Sequence, residues 1–218
     1  MVFVPFTAPG DRVRVKVISS HPRFARAVVD ELIEPGTART DPVCAVFGSC
    51  GGCAWQHVDY DVQLEAKREI ASAALKRIGG LSVPTPLSIT PSAPYRYRTR
   101  SRVQVSAGKV GFRRRRSHTL CAARCCPVLT PELEERLAAL ADETPGSDGE
   151  WEFASGRLAD SSEVIARAVP LPGKSEPRLW LPVGDDRISF SPGVFVQSNA
   201  GLLDPLTRAV FEAAGRGP

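Results

Sequence analysis

Three thiols stand in the pattern Cys44-x5-Cys50-x2-Cys53, inside the stretch CAVFGSCGGCAWQH that closes on His57. Thiolates are soft ligands and select iron–sulfur clusters, zinc or copper(I) over hard cations. Gly51 and Gly52 separate the last pair and carry no side chain, so backbone amides can approach a bound sulfur closely. A cubane iron–sulfur cluster takes four thiolates, so this trio needs a distant fourth, and CAARCCPVL offers Cys121, Cys125 and Cys126. Zinc needs no remote ligand, because Cys44, Cys50, Cys53 and His57 make a closed Cys3His set. On spacing alone the two metals stand level. A redox Cys-x2-Cys pair ranks below both, since no strand–helix unit of the expected kind surrounds it. His21 and His118 read as turn and surface residues, and Trp55, Trp151 and Trp180 as core or interface aromatics.

The second chemical feature is charge. Across 218 residues the net charge is only +4. Between Glu69 and Glu132, however, there is no Asp or Glu, while twelve Lys and Arg fall there; that segment carries +12 and the remainder −8. Such asymmetry is the footprint of a polyanion-binding surface. In YRYRTRSRVQVSAGKVGFRRRR, period two places Arg96, Arg98, Arg100 and Arg102 on one strand face, with Tyr95, Tyr97, Thr99, Val103 and Val105 on the other. SAGK reads as a hairpin turn into a second strand that ends at Arg113, Arg114, Arg115 and Arg116. Stacked like charges weaken a strand. A phosphate backbone laid over them removes that penalty and releases counterions. Tyr and Arg also stack on unpaired bases, as in readers of single-stranded RNA.

The elements that must hold these groups follow from local pattern. Val13, Val15 and Val17 alternate with Arg12, Arg14 and Lys16, and FARAVVDELI follows after a turn at SSHP, so a small β-barrel is expected at the start. Its first strand has almost no lead-in. EPGTARTDP is a linker. A helix is expected from Asp61 to Ile78, capped by Asp59 or Asp61, with Leu64, Ala71, Leu75 and Ile78 on its apolar face and Gly79-Gly80 as its stop. Loops are expected at 83–94 and 144–149. Thr130 and Pro131 open a second helix that buries Leu133, Leu137 and Leu140. EWEFASGRL, EVIARAV, RLWLPV and RISFS read as successive strands, and residues 200–214 as a helix with Leu203, Leu206, Val210 and Phe211 buried.

PVCAVFGSCGGCAWQH resembles the cluster motif of the S-adenosylmethionine-dependent RNA uracil-5-methyltransferases that carry a 4Fe–4S centre. The family pattern is Cys, five residues, Cys-Gly-Gly-Cys and then a Gln-His pair. Its fourth ligand lies in a Cys-Pro-hydrophobic-Leu context, which CCPVL matches at Cys126, so the resemblance implies Cys44, Cys50, Cys53 and Cys126 as ligands. A cluster on them ties 44–53 to 126 and closes a long loop around the basic segment, a structural role, with a redox role as the alternative. VFVPFTAPGDRVRVKV is similar to part of the family's RNA-binding TRAM barrel, and SPGVFVQSNAG to the entry of its methyltransferase domain, where a glutamine, here Gln197, contacts S-adenosylmethionine. The implied fold is α+β: a TRAM- or OB-like barrel at 1–42 lacking a strand, an α/β central Fe–S and RNA-binding domain at 43–185, and the start of a truncated class I methyltransferase domain at 186–218. The implied partner is RNA, ribosomal more than transfer RNA.

In that family a cysteine thiolate adds to carbon 6 of uracil, carbon 5 takes the methyl group, and a carboxylate removes the proton from a flipped-out base. No strand–Gly-rich loop–helix fingerprint occurs in these residues. Gly215-x-Gly217 follows a helix instead of a strand. The expectation is therefore a chain that binds RNA and a cluster, with no catalytic residue of its own, and with an apolar last-helix face left exposed or turned against a partner, such as a separate methyltransferase half. Cys121 and Cys125 are spare. The competing expectation is a zinc- or Fe–S-dependent RNA-binding module with no catalysis. MVFVPFTAPG lacks the features of a secretory signal, and no apolar run nears the ~20 residues of a membrane span. Both point to a cytoplasmic protein with no membrane partner.

Overall fold

The arginine–valine alternation of the first strand does produce a strand, but not a two-faced one. The structure, a computed structural model, describes residues 1–82, 87–143, 145, 148–158, 161, 163–171 and 178–215. Parts of the loops expected at 83–94 and 144–149, and Gly217, lie outside the described residues. Contacts group the chain into two compact units, Met1–Gly48 with Cys53–Ile89, and Ser49–Gly52 with Thr90–Pro218.

In the first unit, β1 (Val2–Phe3), β2 (Arg12–His21) and β3 (Phe24–Glu34) form a three-stranded sheet in the order β1-β3-β2. β2 pairs antiparallel with β3, and β1 pairs parallel with it. Three register shifts along β2 break the period-two faces. Val13 is half-buried while Val17 and Ile18 are exposed. Among the described residues this is an open sheet, where a barrel was expected. The loops beside it are tied by Asp11, whose carboxylate accepts from the amides of Ala8 (2.6 Å) and Gly36 (3.0 Å) and from Arg39 Nε (3.0 Å). The Arg39 guanidinium holds the Asp11 carboxyl well below the usual carboxylate range, against the opposing effect of burial.

Helix α1 (Tyr60–Arg77) starts as expected, with Asp59 accepting from the amides of Asp61 (3.0 Å) and Val62 (3.4 Å). It ends at Gly79 and Gly80, the latter at φ +62°. Its expected apolar face is not buried: no residue of α1 is, and Ile78 beyond it is 88% exposed. Leu64 and Leu75 are half-buried, Ala71 exposed.

The second unit is built on a larger sheet: β4 (Arg100–Ser106), β5 (Lys109–Arg113), β6 (Leu120–Ala122), β7 (Gly149–Arg157), β8 (Val164–Pro170), β9 (Leu179–Val183) and β10 (Asp186–Phe190). The path runs β10-β9-β7-β4-β5-β6, with β8 also on β7. Every pairing in it is antiparallel, so the region is α+β and not the α/β expected. Helix α2 (Pro131–Asp142) covers one face. Its Leu133, Leu137 and Leu140 are buried as expected and pack with Val103, Val105, Val110, Leu129 and Phe153. Each such leucine contributes about 1.5–3 kcal/mol. The expected boundary at 185/186 falls inside the β9–β10 hairpin, where Asp186 pairs with Val183, and the one at 42/43 falls inside the first unit. A 3-10 turn (Ala200–Leu202) leads into α3 (Leu203–Ala214).

Candidate nucleic-acid interface, thiol loop and cleft

β4 and β5 meet at Ala107 and Gly108, both at positive φ (50° and 70°). Asp148 secures this turn by accepting from the Ala107 amide at 2.7 Å. Val103 and Val105 go to the core and Arg100 and Arg102 to the opposite face, as the period predicts. The repulsion expected between those arginines is relieved from inside the protein. β7 runs beside β4 in the register Arg102↔Glu152 and Gln104↔Glu150. Glu152, 1% exposed, accepts from Arg100 Nε at 2.9 Å and lies 3.4 Å from Arg102 Nε. Glu150 accepts from Arg113 Nη2 at 2.6 Å. Sequence reasoning missed both acids because they lie beyond the acid-free segment. The alternation Glu150-Trp151-Glu152 in a strand was the signal available.

The other arginines differ. Arg96 is exposed at φ +57°, and Arg98 is half-buried with its Nε enclosed and without a hydrogen-bond partner among the described residues. Residues 114–119 form the tight loop between β5 and β6, closed by Arg114 N–H to Thr119 O at 2.8 Å and Ser117 N–H to Arg114 O at 3.2 Å. Arg114 and Arg116 are exposed, Arg115 half-buried. Residues 49–51 lie along this loop: Gly51 N–H donates to Arg113 O (2.9 Å), Arg115 N–H donates to Ser49 O (3.2 Å), and Cys50 bridges antiparallel to Arg114.

None of the six cysteines is in a disulfide. Cys44 and Cys53 belong to the first unit, Cys50 and Cys126 to the second, and all four are half-buried. Gly52 N–H donates to Cys50 Sγ at 3.4 Å, the kind of amide contact a metal-bound thiolate takes. Cys44 N–H donates to the buried Gln56 side chain at 3.3 Å, and Cys126 N–H to Glu134 Oε1 at 2.9 Å. Cys121 is buried in β6 and Cys125 exposed. Among the described residues no three His, Cys, Asp or Glu side chains are grouped to hold a metal ion. Thiols are soft donors, and within the second unit the Gly52 amide is directed at the Cys50 sulfur. His57 is 3% exposed and its Nε2 is 3.1 Å from Thr7 O, so Nε2 carries the proton. Burial lowers its pKa, partly opposed by that hydrogen bond, and the ring lies near Phe6 and Phe47.

Gln197 is exposed and lines a cleft of about 360 Å³ with Thr90, Asn199, Leu202 and Leu206. Ser198 O accepts from Thr99 N–H (2.7 Å) and Thr99 Oγ1 (3.1 Å), and Asn199 Nδ2 donates to Ser92 Oγ at 2.8 Å, which fixes the segment. Helix α3 buries only Leu203. Leu206, Val210 and Phe211 are 49%, 58% and 69% exposed, so the burial expected for them is not met, whereas an exposed apolar face is. No helix among the described residues is long and apolar enough to cross a membrane.

Residues 1–29 match the TRAM domain family. The chain is 40% identical over 154 residues to an uncharacterised RNA methyltransferase of Nostoc sp., covering 68% of this chain and 34% of that protein. It is 40% identical over 147 residues to the 23S rRNA (uracil(1939)-C(5))-methyltransferase RlmD of Halomonas elongata, covering 65% of this chain and 30% of that one. The chain thus spans about a third of the length of these relatives. The Pyrococcus abyssi tRNA (uracil-54, C5)-methyltransferase, solved with S-adenosyl-L-homocysteine, superposes with a TM-score of 0.67 over 99% of this chain and 61% of its own, at 22% identity. That likeness is one of fold.

Proposed function

We propose, on the premise of this kinship with RNA methyltransferases, that the chain is the RNA-binding and cluster-holding part of an S-adenosylmethionine-dependent RNA uracil-C5 methyltransferase acting on ribosomal RNA. The observation that supports the reading is 40% sequence identity, over most of the chain, to a protein named as an RNA methyltransferase and to one named as a 23S rRNA uracil-C5 methyltransferase. The arginine-rich segment supplies cations for phosphate, Arg113, Arg114 and Arg116 being the exposed members of the 113–116 run. Cys44, Cys50, Cys53 and Cys126 would hold a 4Fe–4S cluster. The cluster supplies a rigid, soft-ligand crosslink when bound. Gln197 and Asn199 would hold one end of S-adenosylmethionine in their cleft, the cofactor supplying the methyl group.

These residues bind and orient. Neither the attacking thiolate nor the proton-removing carboxylate of such a reaction is assigned to any of them, and the two amide side chains of the cleft would meet only part of a cofactor of that size. The apolar flank of α3 is the surface on which a methyltransferase domain would pack, on the same polypeptide or as a separate half.

The test is an RNA-binding and methylation assay on the 218-residue chain with a ribosomal RNA fragment and labelled S-adenosylmethionine. Salt-dependent binding without methyl incorporation is expected. Robust methylation overturns the division of labour, and failure to bind RNA overturns the reading itself.

A further inference from the structure

The eight arginines between residues 96 and 116 are not equivalent. Arg100, Arg102 and Arg113 already face Glu150 and Glu152. Binding phosphate there means competing with a carboxylate that is in place. Among the described residues no carboxylate pairs with Arg114 or Arg116, and both are exposed. Their loop is also unusually well held. Arg116 sits at φ +52°, the loop is closed through Arg114 and Thr119, and residues 49–51 add to its edge as a short extra strand through two backbone hydrogen bonds.

That extra strand depends on a glycine. A Cβ at Gly51 would lie 3.1 Å from Arg113 O and 3.4 Å from both Arg114 O and Arg115 Cα, tighter than side chains ordinarily sit against backbone. At Gly52 a Cβ would meet only Cys50 Sγ, at 3.5 Å. The two glycines of one motif therefore carry different demands. Gly51 permits the docking of the strip on the arginine loop, and Gly52 does not.

We propose that the RNA backbone is gripped at the 113–116 loop, chiefly by Arg114 and Arg116, in preference to the arginine face of β4, and that Gly51 is a positioning residue holding this loop ready. The proposal rests on the RNA-binding reading above. Pre-ordering a loop lowers the entropy lost when it binds. Each phosphate neutralised steepens the salt dependence of binding. Because Cys50 is the central residue of the docked strip, whatever binds its sulfur also settles the strip against the arginines.

The experiment measures affinity of the full chain for a fluorescein-labelled RNA hairpin with a uridine-rich single-stranded loop, across a series of salt concentrations. Iron and sulfide are assayed on every preparation. Arg114→Gln with Arg116→Gln should flatten the plot of log K against log salt by about 0.7 per arginine, while Arg102→Gln should leave the slope in place. Compared at equal iron content, Gly51→Ala should weaken binding and speed amide exchange at Arg115, and Gly52→Ala should do neither. A slope that falls for Arg102→Gln and holds for the double variant overturns the surface. Equal effects of the two glycine variants overturn the positioning role. A parent chain without salt-dependent RNA affinity overturns this proposal and the reading beneath it together. Iron-free protein that still shows the loop effects removes the cluster from the reading and leaves the surface standing.

Discussion

The β2–β3 hairpin and the β4–β7 ladder both set arginines across from glutamates on neighbouring antiparallel strands, yet the pairs do different things. In the hairpin, Arg12–Glu34 (3.6 Å) and Arg14–Glu31 stand in water, with side chains 51–72% exposed. Such pairs are screened and contribute little. In the ladder, Arg100 is 14% exposed and Glu152 1%. There each charge is tolerated only because the other is present. The first arrangement neutralises an open sheet. The second anchors a strand and takes Arg100 and Arg102 partly out of the pool available to RNA. Counting arginines thus overstates a binding surface, and Arg114 and Arg116, in the loop after β5, are where charge is left to spare.

Substitutions can break this contrast. Glu152→Gln strands Arg100 in a buried site and should cost about 3–5 kcal/mol, read by urea unfolding followed through Trp151 and Trp180. Asp11→Asn in the first unit, where Asp11 is 1% exposed against Arg39, should cost about 2–3 kcal/mol, read through Trp55. Asp11 also sets a pH dependence. Its carboxyl is held below its ordinary value in the folded chain, so its stabilisation is complete above the unfolded value of about 4 and drains away as pH falls below that toward the folded value. A first unit whose stability does not decline on acidification past that point would contradict the Asp11 assignment. Glu31→Gln in the exposed hairpin is expected to cost no more than about 1 kcal/mol. A loss comparable with that of Glu152→Gln would erase the contrast.

Much of the second unit is legible in the chain itself. The leucines at 133, 137 and 140 recur at helical spacing and are buried. Val103 and Val105 alternate with Arg102 and Gln104 and enter the core. What stays hidden depends on register. That Glu152 lies opposite Arg102 follows from how β7 meets β4 across an intervening helix, which no local pattern encodes. The docking of residues 49–51 on the arginine loop is hidden for the same reason, since Gly51 and Gly52 look alike until a backbone is placed beside one of them. In β2 the pattern misleads, because register shifts turn Val17 toward solvent. In α3 the apolar spacing is real, but periodicity names a face without naming what covers it.

The proposed cluster turns on four sulfurs, those of Cys44, Cys50, Cys53 and Cys126. The direct measurement is iron, zinc and acid-labile sulfide in anaerobically purified chain, in Cys126→Ser and in Cys125→Ser. The expected result is iron and sulfide at about four each per chain, lost with Cys126→Ser and retained with Cys125→Ser. Zinc without sulfide, or a requirement for Cys125 in place of Cys126, would contradict it.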